Sequence, residues 1–365
     1  MEKSARLEYV DGLKVVMILC VLLKHLPEYL EIKSNNFWGF WSEWGGAGVS
    51  GFIILSGFGL TYSMLAKSLT EVKFTSFFWK RFLRIVPLYY IALFTYLLIV
   101  DLLQPQNLLA HVFLIHTFFK DFCHNPGSLW FIGLIIQCYL VFPLAYKLFS
   151  QNRGRILLSI AAVFVYALGI ILTNNGFYVS DSFLSFVIEF VLGMNLARQA
   201  YEGKIKQYSA SAVVMLTIIE LVCFLTLIQT SLLKELPYYI HFSITTLSRI
   251  CFFIVILNIF LLLEKRWKHF KRLIPLLSAM SLASYSVYLF HRPILTTLVR
   301  GPVWNWVISN RFPNSINFVC LFLISIPLTF LISYWIQKAY DSMQQKFFPP
   351  KSIYAGSEVY ASRKG

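Results

Sequence analysis

Gly45 to Ala66 reads GGAGVSGFIILSGFGLTYSMLA and contains no charged side chain. A helix needs about 20 predominantly apolar residues to cross the roughly 30 Å hydrocarbon core of a bilayer, so this stretch reads as a membrane span. Comparable windows recur at 10–29, 85–103, 128–149, 156–173, 182–199, 210–229, 243–263, 273–299 and 316–337. The whole chain agrees with them: of 365 residues 58% are hydrophobic, 17% aromatic and only 13% charged. Its mean hydropathy is +0.66. Soluble domains average about half apolar and about a quarter charged. Such a composition excludes a soluble enzyme, a disordered chain and a secreted disulfide scaffold. The fold expected is an all-α, polytopic integral membrane bundle of about ten transmembrane helices.

One shorter run, Asn107 to Phe119, includes His111 and His116, and hydropathy alone does not decide whether it crosses. Charge does. If it does not cross and the N-terminus is cytoplasmic, the inner loops collect Lys67, Lys73, Lys80, Arg81 and Arg84, then Lys147, Arg153 and Arg155, then Arg198, Lys204 and Lys206. The densest cluster follows, Lys265, Arg266, Lys268, Lys271 and Arg272. Counting the run as a crossing places that cluster outside, against the positive-inside rule. The expectation is therefore a multi-pass protein of the plasma or inner membrane with both termini cytoplasmic and 107–127 external or re-entrant. The balance of 32 basic against 17 acidic residues, net +15, then serves topology and attraction to the lipid bilayer, and no nucleic-acid partner is expected.

No break in composition marks a second domain. Residues 1–349 read as a single transmembrane domain and 350–365 as a short flexible cytoplasmic tail. The first apolar run is interrupted by Lys24, His25 and Pro27 and has no small-residue cleavage site, so it reads as a retained span. Six cysteines, with no C-x-x-C pair and no zinc spacing, read as small apolar side chains, and no metal is expected. Gly46 to Gly51 is a literal G-x-G-x-x-G, but no strand precedes it. Its small residues suit close approach between helices.

Ionisable groups inside spans cost about 2.5–3.5 kcal/mol each even on lenient scales, so they are paired or used. Lys14 and His25 stand eleven residues apart in the first window. On a helix that is about 20° from three full turns and about 16 Å of rise, which puts both on one face. Either Lys14 snorkels to one headgroup layer while His25 caps the other end, or the two point into one polar passage where the imidazole serves as a base. His291 falls at similar depth late in the ninth window, as an orienting group or a satisfied core histidine. His111, His116 and His124 lie on the outer segment, where the i, i+5 spacing of the first pair gives no two-ligand helix face; contact with a sugar is the softer alternative. Trp38, Trp41, Trp44 and Trp130 suit an interfacial belt first and sugar stacking second. Glu220 and Arg249 fall at matching depths on consecutive spans and read as a buried pair, whereas Glu189 has no evident partner.

Five blocks, in order, carry a resemblance. Asp11-Gly12-Leu13-Lys14, ten residues and His25 resembles the R-x10-H opening of the membrane acyltransferase 3 family, whose members O-acylate sugars. Gly48 to Phe58 (GVSGFIILSGF), Phe78 to Pro87 (FWKRFLRIVP), Ser128-Leu129-Trp130-Phe131 with Tyr139 and Pro143, and Ser284 to His291 (SYSVYLFH) resemble its later blocks. Two places depart from the pattern. Lys14 replaces the commoner arginine, keeping charge without bidentate recognition, and Ile135 and Ile136 stand where paired acids are common.

The resemblance implies an acyl-CoA dependent O-acyltransferase, moving an acetyl or similar group from cytoplasmic acyl-CoA, the donor substrate, to a hydroxyl of a cell-surface polysaccharide or lipid-linked sugar. It assigns catalysis to His25 and Lys14. The cofactor-binding residues it implies are Arg81 and Arg84, which on charge alone are membrane anchors, and Ser56, which on packing alone is a helix contact. The implied partners are the bilayer, acyl-CoA, a carbohydrate acceptor and polysaccharide-assembly proteins. Two alternatives stay open: a transporter or flippase for such a sugar, and a non-catalytic member of an assembly complex.

Overall fold

The computed structural model describes residues 7–30, 37–100, 105–123, 127–205, 207–228, 237–265, 272–302 and 314–347. Lys3, Arg6, His124, Lys206, most of the 265–272 cluster and the 350–365 tail lie outside these residues, as do the side chains of Trp38, Trp41 and Trp44. The described residues form helices and no strand. In chain order they are α1 (Glu8–His25), α2 (Phe37–Ala66), α3 (Phe74–Ile99), α4 (Pro105–Val112), α5 (Lys120–Cys123), α6 (Trp130–Phe149), α7 (Gly154–Asn174), α8 (Phe183–Tyr201), α9 (Ala210–Ile228), α10 (Tyr238–Lys265), α11 (Ile274–Val299) and α12 (Asn314–Phe347). Short 3-10 turns at Leu26–Leu30 and His116–Phe118 complete them.

Nine of the helices are long and apolar enough to cross a membrane, among the described residues. The tenth long helix, α1, carries Glu8, Asp11, Lys14 and Lys24 along 18 residues. It is nonetheless an interior element: Leu13, Met17, Ile18, Val21 and Leu22 are at most 2% exposed. Of its polar side chains Asp11 and His25 are buried against protein, Glu8 and Lys14 are half-buried and Lys24 is exposed.

The segment between α3 and α6 does not cross. At about 1.5 Å per residue α4 is about 12 Å long, far short of the bilayer core. It folds back between its neighbours instead. Tyr89 Oη, ten residues before the end of α3, lies 2.9 Å from His111 Nδ1, and Gln137 Nε2 of α6 donates to Thr117 Oγ1 at 2.8 Å. The segment therefore reaches about 10–15 Å below the helix ends and is re-entrant.

The long helices alternate in direction. One end of the bundle joins α1 to α11, where Ser281 Oγ donates to Asp11 Oδ1 at 2.6 Å, and α6 to the α2–α3 turn, where Tyr146 donates to the Leu69 carbonyl at 2.9 Å. The other end holds the contact of Arg300 with the Ile99 carbonyl, 2.8 Å. Lys67, Lys73, Arg153, Lys204 and Arg272 all lie between helices at the first end.

Two sequence features explain the packing. α2 and α8 cross with glycines facing backbone: a Cβ on Gly193 would stand 1.9 Å from the Ile54 carbonyl oxygen, and one on Gly57 2.2 Å from that of Phe190. Each glycine sits three residues after the carbonyl its partner meets, so the contact is reciprocal, and only a residue without a side chain allows it. In α3, Pro87 has no N–H for the Leu83 carbonyl one turn earlier. Tyr340 Oη and Gln344 Nε2 of α12 both donate to that carbonyl, which is why α12 runs ten residues past the apolar window that ends at 337.

Candidate active site

The residues of the site come from the end of α1, the turn after it and the second half of α11. α1 stops at His25 because Pro27 follows, and the chain tightens into the 3-10 turn that carries Glu28 and Tyr29. That turn brings Glu28 Oε1 to 2.8 Å from His25 Nδ1. Across from it, Arg292 Nη2 donates to Glu28 Oε2 at 2.7 Å and lies 3.0 Å from the same His25 Nδ1. Tyr29 Oη ties the turn to α11, 3.2 Å from both the Arg292 carbonyl and Thr296 Oγ1. His291 stacks against the cluster, its ring centroid 5.0 Å from that of His25.

His25 is 8% exposed and His291 fully buried. His291 Nδ1 lies 2.8 Å from the Tyr288 carbonyl and 3.2 Å from that of Val287. Carbonyls only accept, so this nitrogen carries a proton and His291 Nε2 presents a lone pair. His291 Nε2 is buried without a hydrogen-bond partner among the described residues. His25 Nε2 likewise has none. Each ring therefore keeps one nitrogen without a hydrogen-bond partner among the described residues, a state suited to taking a proton from a hydroxyl.

The blocks noted in the sequence converge here through hydrogen bonds. Tyr288 Oη donates to the Ser128 carbonyl, joining α11 to the start of α6, and its ring meets Phe131 at 5.0 Å. Tyr285 Oη donates to the Ile85 carbonyl of α3 at 2.8 Å. Ser281 and Ser278 donate to Asp11 of α1 at 2.6 and 3.2 Å. The closing block thus ties α11 to two of the other blocks, and Ser278 and Ser281 just before it tie α11 to a third.

The remaining expected residues are placed apart from His25. Lys14 is half-buried on α1, two turns nearer its start than Leu22, while Ser56 is half-buried on α2. Arg81 is half-buried on α3 with its guanidinium 5.7 Å from the Phe77 ring and 5.6 Å from that of Tyr139, and Arg84 is exposed. Among the described residues, the hydrogen bonds and ring contacts of His25 go to Glu28, Arg292 and His291, and none of these four residues is among them.

The structure corrects three readings. His111 and His116 are both fully buried and stack at a centroid distance of 3.9 Å. The i, i+5 argument assumed one continuous helix, but the chain breaks at Leu114, whose φ is +60°, and turns the second ring onto the first. Burial also removes both rings from contact with a sugar at the surface. Glu189 does have a partner: Ser50 Oγ of α2 donates to its Oε1 at 3.3 Å. Arg292, finally, joins the site as a basic residue within an apolar window, and Glu28 joins it at i+3 from His25 on the same helix face.

The acyltransferase 3 family model, described as an acyltransferase domain, matches residues 7–338. The chain belongs to that family. No curated protein and no solved structure matches it. Membership makes the protein a multi-pass membrane acyltransferase, and the matched range takes in every long helix except the last turns of α12. His25 and Lys14 both sit on α1, His25 buried at its end and Lys14 half-buried.

Proposed function

We propose that this acyltransferase moves an acyl group, acetyl as the first candidate, from cytoplasmic acyl-CoA to a hydroxyl of a cell-surface polysaccharide or lipid-linked sugar. The observation that carries the reading is the open Nε2 of His25, held among α1 and α11 at the bundle end opposite the basic loops. In the plasma or inner membrane, those loops favour the cytoplasm, with both termini on that side. The acceptor then meets His25 from outside while the donor enters from within.

Arg81 and Arg84 hold the CoA phosphates. Their spacing offers two guanidinium groups to one polyanion, and the rings of Phe77 and Tyr139 keep Arg81 in place. Lys14, between the two ends on α1, steadies the thioester arm by charge. Ser56 serves as a candidate donor toward the thioester oxygen from α2. His25 Nε2 takes the hydroxyl proton while the sugar oxygen attacks the thioester carbonyl. The carbon–sulfur bond breaks and the proton passes to the departing CoA thiolate. A route through a transient acyl-imidazole uses the same lone pair. Label retained on the protein when no acceptor is present marks that route.

The test is reconstitution of the purified protein in liposomes, with radiolabelled acetyl-CoA supplied on the Arg81 side and envelope glycan on the other. The wild type is expected to release CoA in step with label transfer, and His25→Ala to lose both. Full transfer by His25→Gln overturns the role of His25. Absence of release and transfer over a range of acyl donors and glycans overturns the acyl-transfer reading and makes sugar flux the next assay.

A further inference from the structure

Two groups crowd one nitrogen of His25, and a single proton cannot serve both. Glu28 Oε1 stands 2.8 Å from Nδ1 and Arg292 Nη2 stands 3.0 Å from it. A guanidinium has only donors, and an ionised carboxylate only acceptors. If Nδ1 were bare it would accept from Arg292 and face an unprotonated carboxylate oxygen across 2.8 Å. If Nδ1 carries the proton it donates to Glu28 Oε1, and Arg292 Nη2 keeps its shorter, charge-assisted bond to the other carboxylate oxygen, 2.7 Å away. The second arrangement satisfies both contacts of the ionised carboxylate, at 2.8 and 2.7 Å, and leaves unmade only the longer approach of Arg292 to Nδ1, whereas the first sets a carboxylate oxygen against a lone pair at 2.8 Å.

We infer that Glu28 and Arg292 are positioning residues, a carboxylate–guanidinium clamp that fixes His25 as the Nδ1–H tautomer with Nε2 bare. The inference rests on the acyl-transfer reading only for its purpose, since a base needs its lone pair on the nitrogen that meets the hydroxyl. The geometry supports it from two chain regions more than 260 residues apart: Glu28 comes from the turn beside His25, and Arg292 from α11, |i−j| = 264. Tyr29 locks the same two regions together through the Arg292 carbonyl and Thr296. The carboxylate is half-exposed, 46% of its side chain, whereas the His25 side chain is 10% exposed. Without Arg292 to hold it, Glu28 has open solvent to turn to. A carboxylate that orients an imidazole through its proton-bearing nitrogen is a recurrent device, and loss of the correct tautomer there costs several powers of ten in rate.

The deciding experiment is solid-state nitrogen NMR on the full chain in liposomes with isotope-labelled histidine. His25 is identified by the signal lost in His25→Gln. The wild type is expected to show protonated Nδ1 and bare Nε2 at His25, and Glu28→Ala to shift the ring toward the other tautomer while the His291 signals stay in place. In the acetyl-CoA transfer assay, Glu28→Ala is expected to lower kcat by about 10²–10⁴-fold with KM for acetyl-CoA unchanged. Arg292→Lys, which retains the charge, is expected to keep the tautomer. A wild-type His25 protonated at Nε2 overturns the inference by itself, with no variant needed. So does Glu28→Ala with an unchanged tautomer. A wild type with the expected tautomer but no transfer from any acyl-CoA refutes the acyl-transfer reading and leaves the clamp standing.

Discussion

Replacing Gly193 by alanine tests the packing that sets the bundle. The added Cβ would stand 1.9 Å from the Ile54 carbonyl oxygen, 2.8 Å from its carbon and 2.9 Å from the Phe58 nitrogen. Ordinary contact needs about 3.4 Å or more, so α2 and α8 must part by about 1.5 Å along that line. All three obstacles are backbone, so no rotamer change relieves them. Nor can α2 retreat, because its far face meets α1 equally closely: a Cβ on Gly48 would stand 2.4 Å from the Met17 carbonyl oxygen. Overpacking of this kind costs about 1–3 kcal/mol and sometimes more, and the gain in helix propensity from glycine to alanine returns roughly 1 kcal/mol. Backbone obstacles on both faces put this site at the upper end of that range, so the net expectation is a loss of about 2 kcal/mol. Gly59 on the same α2 is the control, since a Cβ there meets nothing within 4 Å. Gly59→Ala is expected to be neutral or to stabilise by up to about 1 kcal/mol. Because Gly57 and Gly193 share one contact, Gly57→Ala with Gly193→Ala is expected to cost less than the sum of the two. Reversible unfolding in mixed micelles reads all four variants. A Gly193→Ala protein as stable as Gly59→Ala refutes the reasoning.

Arg81→Ala is expected to raise KM for acetyl-CoA by about tenfold, the equivalent of roughly 1.4 kcal/mol, with kcat retained; an unchanged KM returns Arg81 to a membrane anchor. Asp11→Ala leaves Ser278 and Ser281 without their acceptor and is expected to destabilise the protein by about 1–3 kcal/mol in the same micelle assay, whereas Asp11→Asn, which keeps one oxygen, loses less. His116, in the re-entrant segment, is pushed down to about 3 by burial and by the neighbouring His111. The unfolded chain therefore binds a proton that the folded one refuses, and stability falls as pH drops from about 6.5 toward 3, by up to about 1.4 kcal/mol per pH unit. His116→Gln is expected to flatten that slope, and an unaltered slope assigns the acid sensitivity elsewhere.

The membrane class was legible because hydropathy is summed over many residues and tolerates local exceptions. Helix ends were not, because helices continue beyond the apolar core that a window detects. α3 begins at Phe74 and not at 85, and its extra turns are where Arg81 is stacked on aromatic rings. The basic loops correctly marked 107–127 as a segment that does not cross. The stacking of His111 on His116 stayed hidden, because it depends on one backbone reversal at Leu114, a residue type that gives no hint of positive φ. The same limit governs the site. Lys14 and His25 announce themselves as charge and imidazole in an apolar run, but the partners of His25 lie three residues away in a turn and 267 residues away on α11.

The matched blocks acquire a common physical sense once the hydrogen bonds are traced. A helix bundle in lipid gains little from burying one apolar surface against another, so its geometry is set by close backbone contacts and by polar groups that must find partners. Pro87 releases the Leu83 carbonyl to α12. Tyr285 reaches Ile85, Tyr288 reaches Ser128, and Ser281 reaches Asp11. Each of the last three bonds fixes α11 against a different part of the bundle, and α11 is the helix that presents His291 and Arg292 to His25. Residues that look like separate motifs along the chain therefore act on one quantity, the position of α11 relative to the end of α1. A shift of about 1 Å there is enough to remove Arg292 Nη2 from hydrogen-bonding distance of Glu28. Tyr288→Phe, which removes only the hydroxyl that bonds the Ser128 carbonyl, is on this argument expected to lower kcat while leaving KM for acetyl-CoA unchanged. A Tyr288→Phe protein with wild-type kcat would show that α11 is held by its other bonds alone.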